Sequence, residues 1–336
     1  MKWEKIKNHP VFIGGHRKSG TTLFASLLDG HPDLFVYPGE TAFFYKFYPI
    51  FDSDKYSCDQ KEKRVIEAVL KSLDGVIKDW IGSNACPDYS FKKLVNLYQK
   101  EIHQTSKTTQ SFFEAAIKSA WEVLSQKKET QRYWVEKTTS IEIYADVLFD
   151  WYPGARFIHI LRDPRDNYAS IKSGWDKEYK YHFDSTRRLL QSVVDRGYLG
   201  MKLADINLKR FGGKRYLVIK YEDLVADTKK IMRQICRFLK IDFHKSLLTP
   251  TFCGVLWKGN NFKGKEFKSV SAFNLNRWKK RINDQEAKVL EFYFSDLMEQ
   301  YGYNTFYDKQ ESADAARDHY KWFNYAQTYS LKVPTV

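Results

Sequence analysis

The stretch that decides the fold reads Val11-Phe12-Ile13-Gly14-Gly15-His16-Arg17-Lys18-Ser19-Gly20-Thr21-Thr22-Leu23. An apolar run of β-type residues meets a glycine pair, a basic segment and Gly-Thr-Thr, and a helix-compatible segment follows as far as Leu28. This order predicts a strand, a phosphate-binding loop and a helix, because loop N–H groups and the positive end of a helix bind anions. Gly15 and Gly20 have P-loop spacing, but Thr21 stands where the P-loop lysine belongs. We therefore expect a loop for a 5′-phosphate-type group, and a conventional kinase is the weaker hypothesis.

The bulk composition fits a globular protein that binds an anionic partner. The chain has 336 residues, of which 43% are hydrophobic and 16% aromatic, and its formal net charge is +14. Such a charge suits a polyanionic small molecule, a membrane surface or a nucleic acid. Because no run of five or more basic residues occurs, we expect no nucleic-acid partner.

The sequence predicts neither a membrane segment nor a metal site. No stretch approaches the roughly 18 apolar residues of a transmembrane helix, and the N-terminus lacks an apolar signal segment. No cluster of cysteines or histidines has metal-ligand spacing. We therefore expect a cytoplasmic protein without an integral membrane segment or a bound metal ion. His159, inside an apolar run, is interpreted as a core residue, and a ligand or acid–base role is left open for His16.

Alternating strand-type and helix-type segments predict an α/β fold of three layers with a central, mostly parallel sheet. Apolar runs at residues 133–137, 157–161 and 215–220 have the character of buried strands in such a sheet. Helical periodicity fills most of residues 42–130, which we interpret as a helical insertion. We predict one domain over residues 1–336, a P-loop-like nucleotide-binding fold that ends in an aromatic extension at 303–336.

A second candidate anion site follows the run at 157–161. Leu161 leads into Arg162-Asp163-Pro164, and Ser170 lies eight residues after Arg162. A strand would deliver Arg162 to the edge of the sheet where the phosphate loop lies, since ligands bind at the carboxyl ends of parallel strands. Alone, these residues fit a capped helix start with a surface arginine equally well. Together with the loop, they indicate a nucleotide with phosphates at both ends.

With these motifs the chain resembles the sulfotransferases that use 3′-phosphoadenosine-5′-phosphosulfate (PAPS). In that family a loop of R-x-G-T-T type holds the 5′-phosphosulfate, and here its residues are Arg17, Lys18, Ser19, Gly20, Thr21 and Thr22. An arginine in R-D-P, with a serine eight residues on, holds the 3′-phosphate, and here these are Arg162 and Ser170. The family's [RK]-Y-E-D-L motif matches residues 220–224. The resemblance spans residues 9–302 and looks nearest to the branch of tyrosylprotein, carbohydrate and bacterial sulfotransferases.

The resemblance also implies catalytic residues. Glu40 matches the final glutamate of the G-E-E-T segment that supplies the base in tyrosylprotein sulfotransferases, whereas Ala42 replaces their arginine and argues against acidic peptides as acceptors. Lys137 matches a lysine near the transferred group, and Lys18 is a further candidate, because cations there stabilise the developing charge. A helix N-terminal acid for Glu40 and a surface lysine for Lys137 are the alternatives.

The family's late nucleotide-covering loop corresponds to about residues 259–278, in a register that the sequence leaves open. The candidates near the sulfate are Ser269 or Ser271, and those near the 3′-phosphate are Lys263, Lys265 or Arg277. Tyr221 is a candidate for the nucleotide site, with core packing as its alternative.

The resemblance implies sulfuryl transfer from PAPS to an acceptor hydroxyl or amine without a metal ion. The acceptor stays open among small molecules, lipids and carbohydrates, and we expect the insertion 42–130 to form much of its pocket. The oligomeric state is also open. Two other functions remain: a P-loop kinase for a small molecule, and a non-catalytic module that binds anionic glycans.

Overall fold

The centre of the structure, a computed structural model that describes residues 2–82, 86, 89–124, 129–262, 264 and 266–330, is a parallel sheet. Its strands are β1 Pro10–Gly14, β2 Leu34–Val36, β3 Tyr133–Lys137, β4 Arg156–Leu161 and β5 Tyr216–Lys220. They lie in the order β2-β3-β1-β4-β5, and each neighbouring pair is parallel. The predicted α/β class with a parallel central sheet is confirmed.

Helices make up most of the remaining described chain. They are α1 Lys2–Ile6, α2 Thr21–Leu28, α3 Phe43–Phe47, α4 Cys58–Val65, α5 Lys71–Val76, α6 Phe91–His103, α7 Thr109–Val123, α8 Ala145–Trp151, α9 Pro164–Lys172, α10 Thr186–Phe211, α11 Tyr221–Ala226, α12 Thr228–Leu239, α13 Asp284–Tyr293, α14 Ser295–Gln300 and α15 Lys309–Ser330. Two short antiparallel strands, β6 Thr251–Phe252 and β7 Val255–Leu256, precede the segment expected to cover the nucleotide. The described elements between β2 and β3 are helical, as predicted, and α15 packs against α13.

Three helices begin where strands end, at one edge of the sheet. α2 begins at Thr21 after the loop that follows β1, and α11 begins at Tyr221 directly after β5. α9 begins at Pro164, which suits a first helical position, and the Asp163 carboxylate caps it by accepting the Arg165 N–H at 2.8 Å. The positive ends of these helices therefore face the edge at which the sequence predicts the anion sites.

The strands of the sheet end at unequal levels. Ile13 of β1 lies level with Lys137 on β3 and with Ile158 on β4. β1 ends one residue later, whereas β4 continues through Leu161 and pairs with β5 over those residues. β4 thus extends about 7 Å beyond β1, beside the loop that β1 leads into.

The aromatic residues that follow β2 belong to the core. Phe43, Phe44 and Phe47 are at most 3% exposed, and the rings of Phe43 and Phe44 both contact Phe113 of α7. Burial of each such side chain contributes roughly 1.5–3 kcal/mol. The Phe44 ring also contacts Trp151 of α8, so these rings join the helical insertion to the body of the protein.

Candidate active site

A cavity of about 460 Å³ opens at the carboxyl ends of the strands and brings most of the predicted residues together. The predicted residues in its wall are Arg17, Lys18, Gly20, Thr21, Thr22, Glu40, Arg162, Ser170, Tyr221, Ser269 and Ser271. Ser19 and Lys137 are each 3% exposed and lie behind the wall. Arg277 is half-buried and donates to the Phe273 carbonyl oxygen, and Lys263 and Lys265 lie outside the described residues.

The two glycines of the phosphate loop are required by its backbone. Gly15 has φ +136°, and a Cβ there would collide with the Ile160 carbonyl oxygen of β4. Gly20 has φ +95° at the N-cap of α2, and a Cβ there would collide with the Tyr221 ring. Because glycine alone adopts such angles without strain, the spacing seen in the sequence reflects two close approaches of the loop.

Two cations of the cavity are bound by carbonyl oxygens. Arg162 donates from Nη1 to the Lys18 carbonyl oxygen at 2.7 Å and from Nη2 to that of Asn274 at 3.1 Å. The Lys18 ammonium lies 3.4 Å from the Asn260 carbonyl oxygen and 3.9 Å from the centroid of the Phe262 ring. Burial lowers the pKa of Lys18, opposed by the nearby acid Glu178. A bound anion would exchange places with these carbonyl groups.

Arg17 of the phosphate loop forms a hydrogen bond with α10. Its Nη2 donates to Ser192 Oγ at 2.7 Å, and its guanidinium lies 5.0 Å from the centroid of the Tyr179 ring. Burial lowers the pKa of Arg17. The predicted role at the 5′ end stays a prediction, because this guanidinium has a partner on α10.

Lys137 connects the candidate base to the phosphate loop. Its Nζ lies 2.6 Å from Glu40 Oε1 and 3.1 Å from Thr22 Oγ1, and Thr139 Oγ1 donates to Glu40 Oε2 at 3.3 Å. Burial raises the pKa of Glu40, but the Lys137 ammonium and the hydrogen bonds from Lys137 and Thr139 outweigh it and hold that pKa below its usual value. Glu40 is therefore ionised at neutral pH.

Glu136 is a residue that the sequence analysis missed. Its carboxylate is fully buried, and Oε1 accepts hydrogen bonds from Thr41 Oγ1 at 2.8 Å, the Thr41 N–H at 3.3 Å and Thr138 Oγ1 at 2.6 Å. Thr41 follows Glu40 and Thr138 follows Lys137. The Glu136 carboxylate therefore holds the two segments that carry the candidate catalytic residues next to each other. The sequence could have indicated this residue, because an acid stands within a strand that is otherwise mainly apolar.

Replacing Glu136 with Ala should lower the free energy of unfolding by about 2–4 kcal/mol, because buried donors lose their acceptor. It should also lower turnover, because the turn that carries Glu40 is released from β3. Denaturant titration and initial rates measure the two effects. Glu136→Gln retains an acceptor oxygen and should lose less of both, whereas unchanged stability of the Ala variant would contradict the role.

His16 and His159 are both buried and lie outside the wall of the cavity. His159 is fully buried, its Nδ1 lies 2.7 Å from the Tyr216 hydroxyl, and burial lowers its pKa to about 3. His16 Nδ1 lies 2.9 Å from Asn167 Oδ1, and burial lowers its pKa to about 4. Both imidazoles are neutral at neutral pH, and neither lines the large cavity.

Most of the aromatic wall of the cavity comes from the segment after α12. Among the residues that the structure describes, none from 42–130 lines the cavity, and the aromatic wall includes Trp257, Phe262, Phe267 and Phe273. The contribution of the insertion to an acceptor pocket stays a prediction. In the described ranges, no group of three or more His, Cys, Asp or Glu side chains could hold a metal ion, and no helix there has the length and apolarity needed to cross a bilayer.

Comparison with known proteins identifies the class. A sequence model described as the sulfotransferase family matches residues 10–245, so the chain belongs to the sulfotransferase family. It is 23% identical over 238 residues to the protein-tyrosine sulfotransferase of Drosophila melanogaster, in an alignment that covers 71% of this chain and 39% of that protein. The chain thus matches about two fifths of that relative's length.

Two solved structures share the fold. The sulfotransferase domain from the curacin biosynthetic pathway is 18% identical, with a TM-score of 0.59 and coverage of 89% of this chain and 99% of that domain. The sulfotransferase domain of the Synechococcus PCC 7002 olefin synthase is 20% identical, with a TM-score of 0.52 and coverage of 90% and 97%. At these identities the likeness concerns the fold.

Proposed function

We propose that the protein transfers a sulfuryl group from PAPS to an acceptor hydroxyl or amine. The observation that carries this proposal is the contact of Lys137 Nζ with both Glu40 Oε1 at 2.6 Å and Thr22 Oγ1 at 3.1 Å. A candidate base, a cation and a hydroxyl of the phosphate loop thereby meet at one point beside the cavity. Membership of the sulfotransferase family supports the same reaction.

The residues present fit a nucleotide with anionic groups at both ends. The loop before α2, with Lys18, would bind the 5′ end, and Arg162 with Ser170 would bind the 3′-phosphate. Within the described chain, Arg162 Nε is buried without a hydrogen-bond partner, which leaves a donor for an anion. PAPS would supply the activated sulfuryl group.

The side chains provide a proton acceptor and charge stabilisation. Glu40 would take the proton of the acceptor as its oxygen or nitrogen bonds to sulfur and the bond from sulfur to the 5′-phosphate oxygen breaks. Lys137 would stabilise the charge that develops on that phosphate oxygen. As Glu40 becomes neutral, its attraction for Lys137 falls, and the ammonium becomes available to the leaving group.

The acceptor is proposed to be a small molecule, a lipid or a carbohydrate with a free hydroxyl or amine. The aromatic wall of Trp257, Phe262 and Phe267 offers apolar surface beside Lys18 and Glu40. A peptide tyrosine, as in the name of the Drosophila relative, is less favoured because Ala42 offers no charge to an acidic peptide.

Calorimetric titration with 3′,5′-adenosine bisphosphate tests the donor site, beside AMP and ATP with and without Mg²⁺. We expect metal-independent binding of the bisphosphate that is clearly tighter than binding of AMP, because Arg162 would contact the 3′-phosphate. Preference for ATP with Mg²⁺ would overturn the proposal in favour of a kinase. If none of the three binds, a module that binds anionic glycans becomes the better hypothesis.

Replacing Arg162 with Ala should weaken binding of 3′,5′-adenosine bisphosphate by about 10–100-fold, as expected for loss of charge-assisted hydrogen bonds. Binding of AMP should change little, since it lacks the 3′-phosphate. Titration of both nucleotides into both proteins gives the comparison, and Ser170→Ala should show a smaller effect of the same kind. An equal loss for AMP would remove Arg162 from the 3′ site.

A further inference from the structure

A second buried carboxylate, that of Glu142, binds the phosphate loop from inside the protein. Glu142 is 1% exposed and lies in the 3-10 turn Ile141–Tyr144 after β3. Its Oε2 accepts the Gly15 N–H at 2.8 Å, and the Ser140 N–H donates to the Gly15 carbonyl oxygen at 2.9 Å. One short segment thus binds both the N–H and the carbonyl group of the residue that starts the loop.

Glu142 lies among residues of α10, β4 and β5. Asn207 Nδ2 of α10 donates to the Glu142 carbonyl oxygen at 3.0 Å. Glu142 Oε1 lies 3.9 Å from His159 Nε2 on β4, and His159 Nδ1 is bound by the Tyr216 hydroxyl of β5. Among the described residues, Glu142 Oε1 and His159 Nε2 have no hydrogen-bond partner. The hydrogen bond from the Gly15 N–H therefore links this carboxylate to the phosphate loop.

The space around the carboxylate is kept open by two glycines. A Cβ at Gly14 would lie 2.7 Å from Glu142 Oε2, and a Cβ at Gly200 of α10 would lie 3.0 Å from Oε1. Any larger residue at Gly14 would push the carboxylate away from the Gly15 N–H. The sequence thus has the smallest residue at both positions that touch this group.

We propose that Glu142 is a positioning residue for the phosphate loop, which holds the Gly15 peptide so that the loop keeps the shape that binds the 5′ end of the nucleotide. This inference rests on the proposed function. A hydrogen bond to a carboxylate is roughly twice as strong as one between neutral groups, and Gly15 has no side chain that could fix it. Burial raises the pKa of Glu142 to about 7, and in either protonation state the carboxyl group retains an oxygen that can accept the Gly15 N–H.

Two substitutions at Glu142 distinguish the effect of the acceptor oxygen from the effect of the rest of the side chain. In Glu142→Ala the Gly15 N–H loses its acceptor, so its amide hydrogen exchange without nucleotide should become at least about tenfold faster, and the Kd for 3′,5′-adenosine bisphosphate should rise about 10–100-fold. Glu142→Gln retains an acceptor oxygen and should stay near the wild type in both measurements. Unchanged Gly15 exchange in the Ala variant, or equal impairment of the Gln and Ala variants, would overturn the proposal.

A control distinguishes positioning from a general loss of stability. Glu62 is a buried acid of the insertion, 9% exposed and bound by Gln99 Nε2 at 2.7 Å, and Glu62→Ala should leave the Kd unchanged even if the protein unfolds more easily. An equal rise of the Kd in Glu62→Ala would overturn the proposal.

A second variant serves if Glu142→Ala does not fold. Gly200→Ala favours the helical state of α10 while its Cβ presses on Glu142 Oε1, so we expect nucleotide binding several-fold weaker without a lower unfolding midpoint. Unchanged binding would overturn the proposal. Should the wild type bind no nucleotide, the proposed function fails, whereas Gly15 exchange still decides whether Glu142 holds the loop.

Discussion

Turnover of the Glu40→Gln variant should fall by about 10²–10⁴-fold, the usual contribution of a general base. The amide cannot take a proton, but its oxygen can still accept the hydrogen bond from Lys137, so nucleotide affinity should stay close to the wild type. Initial rates with an acceptor, beside calorimetric titration with 3′,5′-adenosine bisphosphate, measure the two quantities. In the wild type, turnover should decline only as the pH falls through a value below the usual pKa of a glutamate, because Lys137 keeps Glu40 ionised.

Glu178 provides the matched control for this experiment. It is an exposed carboxylate that also lines the cavity, and Glu178→Gln removes one negative charge near the same cations. We expect its turnover to remain near that of the wild type. Normal turnover of Glu40→Gln, or an equal loss in both variants, would show that Glu40 is not the base.

Replacing Lys137 with Met should lower kcat by about 10²–10³-fold, comparable to the loss of one preorganised donor at a developing oxyanion. It should also shift the acid limb of the pH–rate profile upward. In the wild type the attraction and hydrogen bond of Lys137, with the hydrogen bonds of Thr139, outweigh burial and lower the pKa of Glu40, whereas in the variant only Thr139 opposes burial and the pKa lies higher than in the wild type. The pH–rate profile of the variant, measured between acid and neutral pH, gives both results.

The change in stability of the same variant with pH can also be predicted. In the wild type the pKa of Glu40 is lower in the folded state than in the unfolded state, so ionised Glu40 stabilises the fold above its unfolded pKa and this contribution is lost as the pH falls through the folded value. In Lys137→Met the folded pKa lies higher than in the wild type, so the stabilisation by ionised Glu40 at neutral pH becomes smaller. Lys172→Met, which breaks a lysine–glutamate pair outside the cavity, should leave the acid limb in place. An unshifted acid limb in Lys137→Met would contradict the pairing.

The sheet and the phosphate loop could be predicted because their signals are local. β3 covers the residues 133–137 that the sequence indicates, and the run at 157–161 lies within β4. The glycine spacing of the loop reports backbone angles that few other residues adopt. Arg162 and Lys137 could be predicted for the same reason: Arg162 comes directly after a recognisable strand, and Lys137 ends one.

The groups that hold the site in place could not be predicted, because their partners are distant in sequence. Glu136 binds Thr41 across 95 positions and Glu142 binds Gly15 across 127, and only the folded sheet brings these segments together. Composition also cannot separate core from pocket: Phe43 and Phe44 are buried, while Phe262 lines the cavity. The covering segment has little regular structure and hence no periodicity from which its register could be derived.

Because the strands end at different levels, the two candidate cations Lys137 and Arg162 lie at different levels of the sheet. Lys137 is level with Ile13, inside the end of β1, whereas Arg162 lies four residues beyond the level of Ile158, which is about 13 Å along an extended strand. Under the proposed function, an elongated anion that contacts both cations would lie obliquely across β1, with one end beside Glu40. Under the proposed function, a nucleotide bound the other way round would present to Glu40 a phosphate with no group to transfer, so only the orientation with the 5′ end beside Glu40 would be productive.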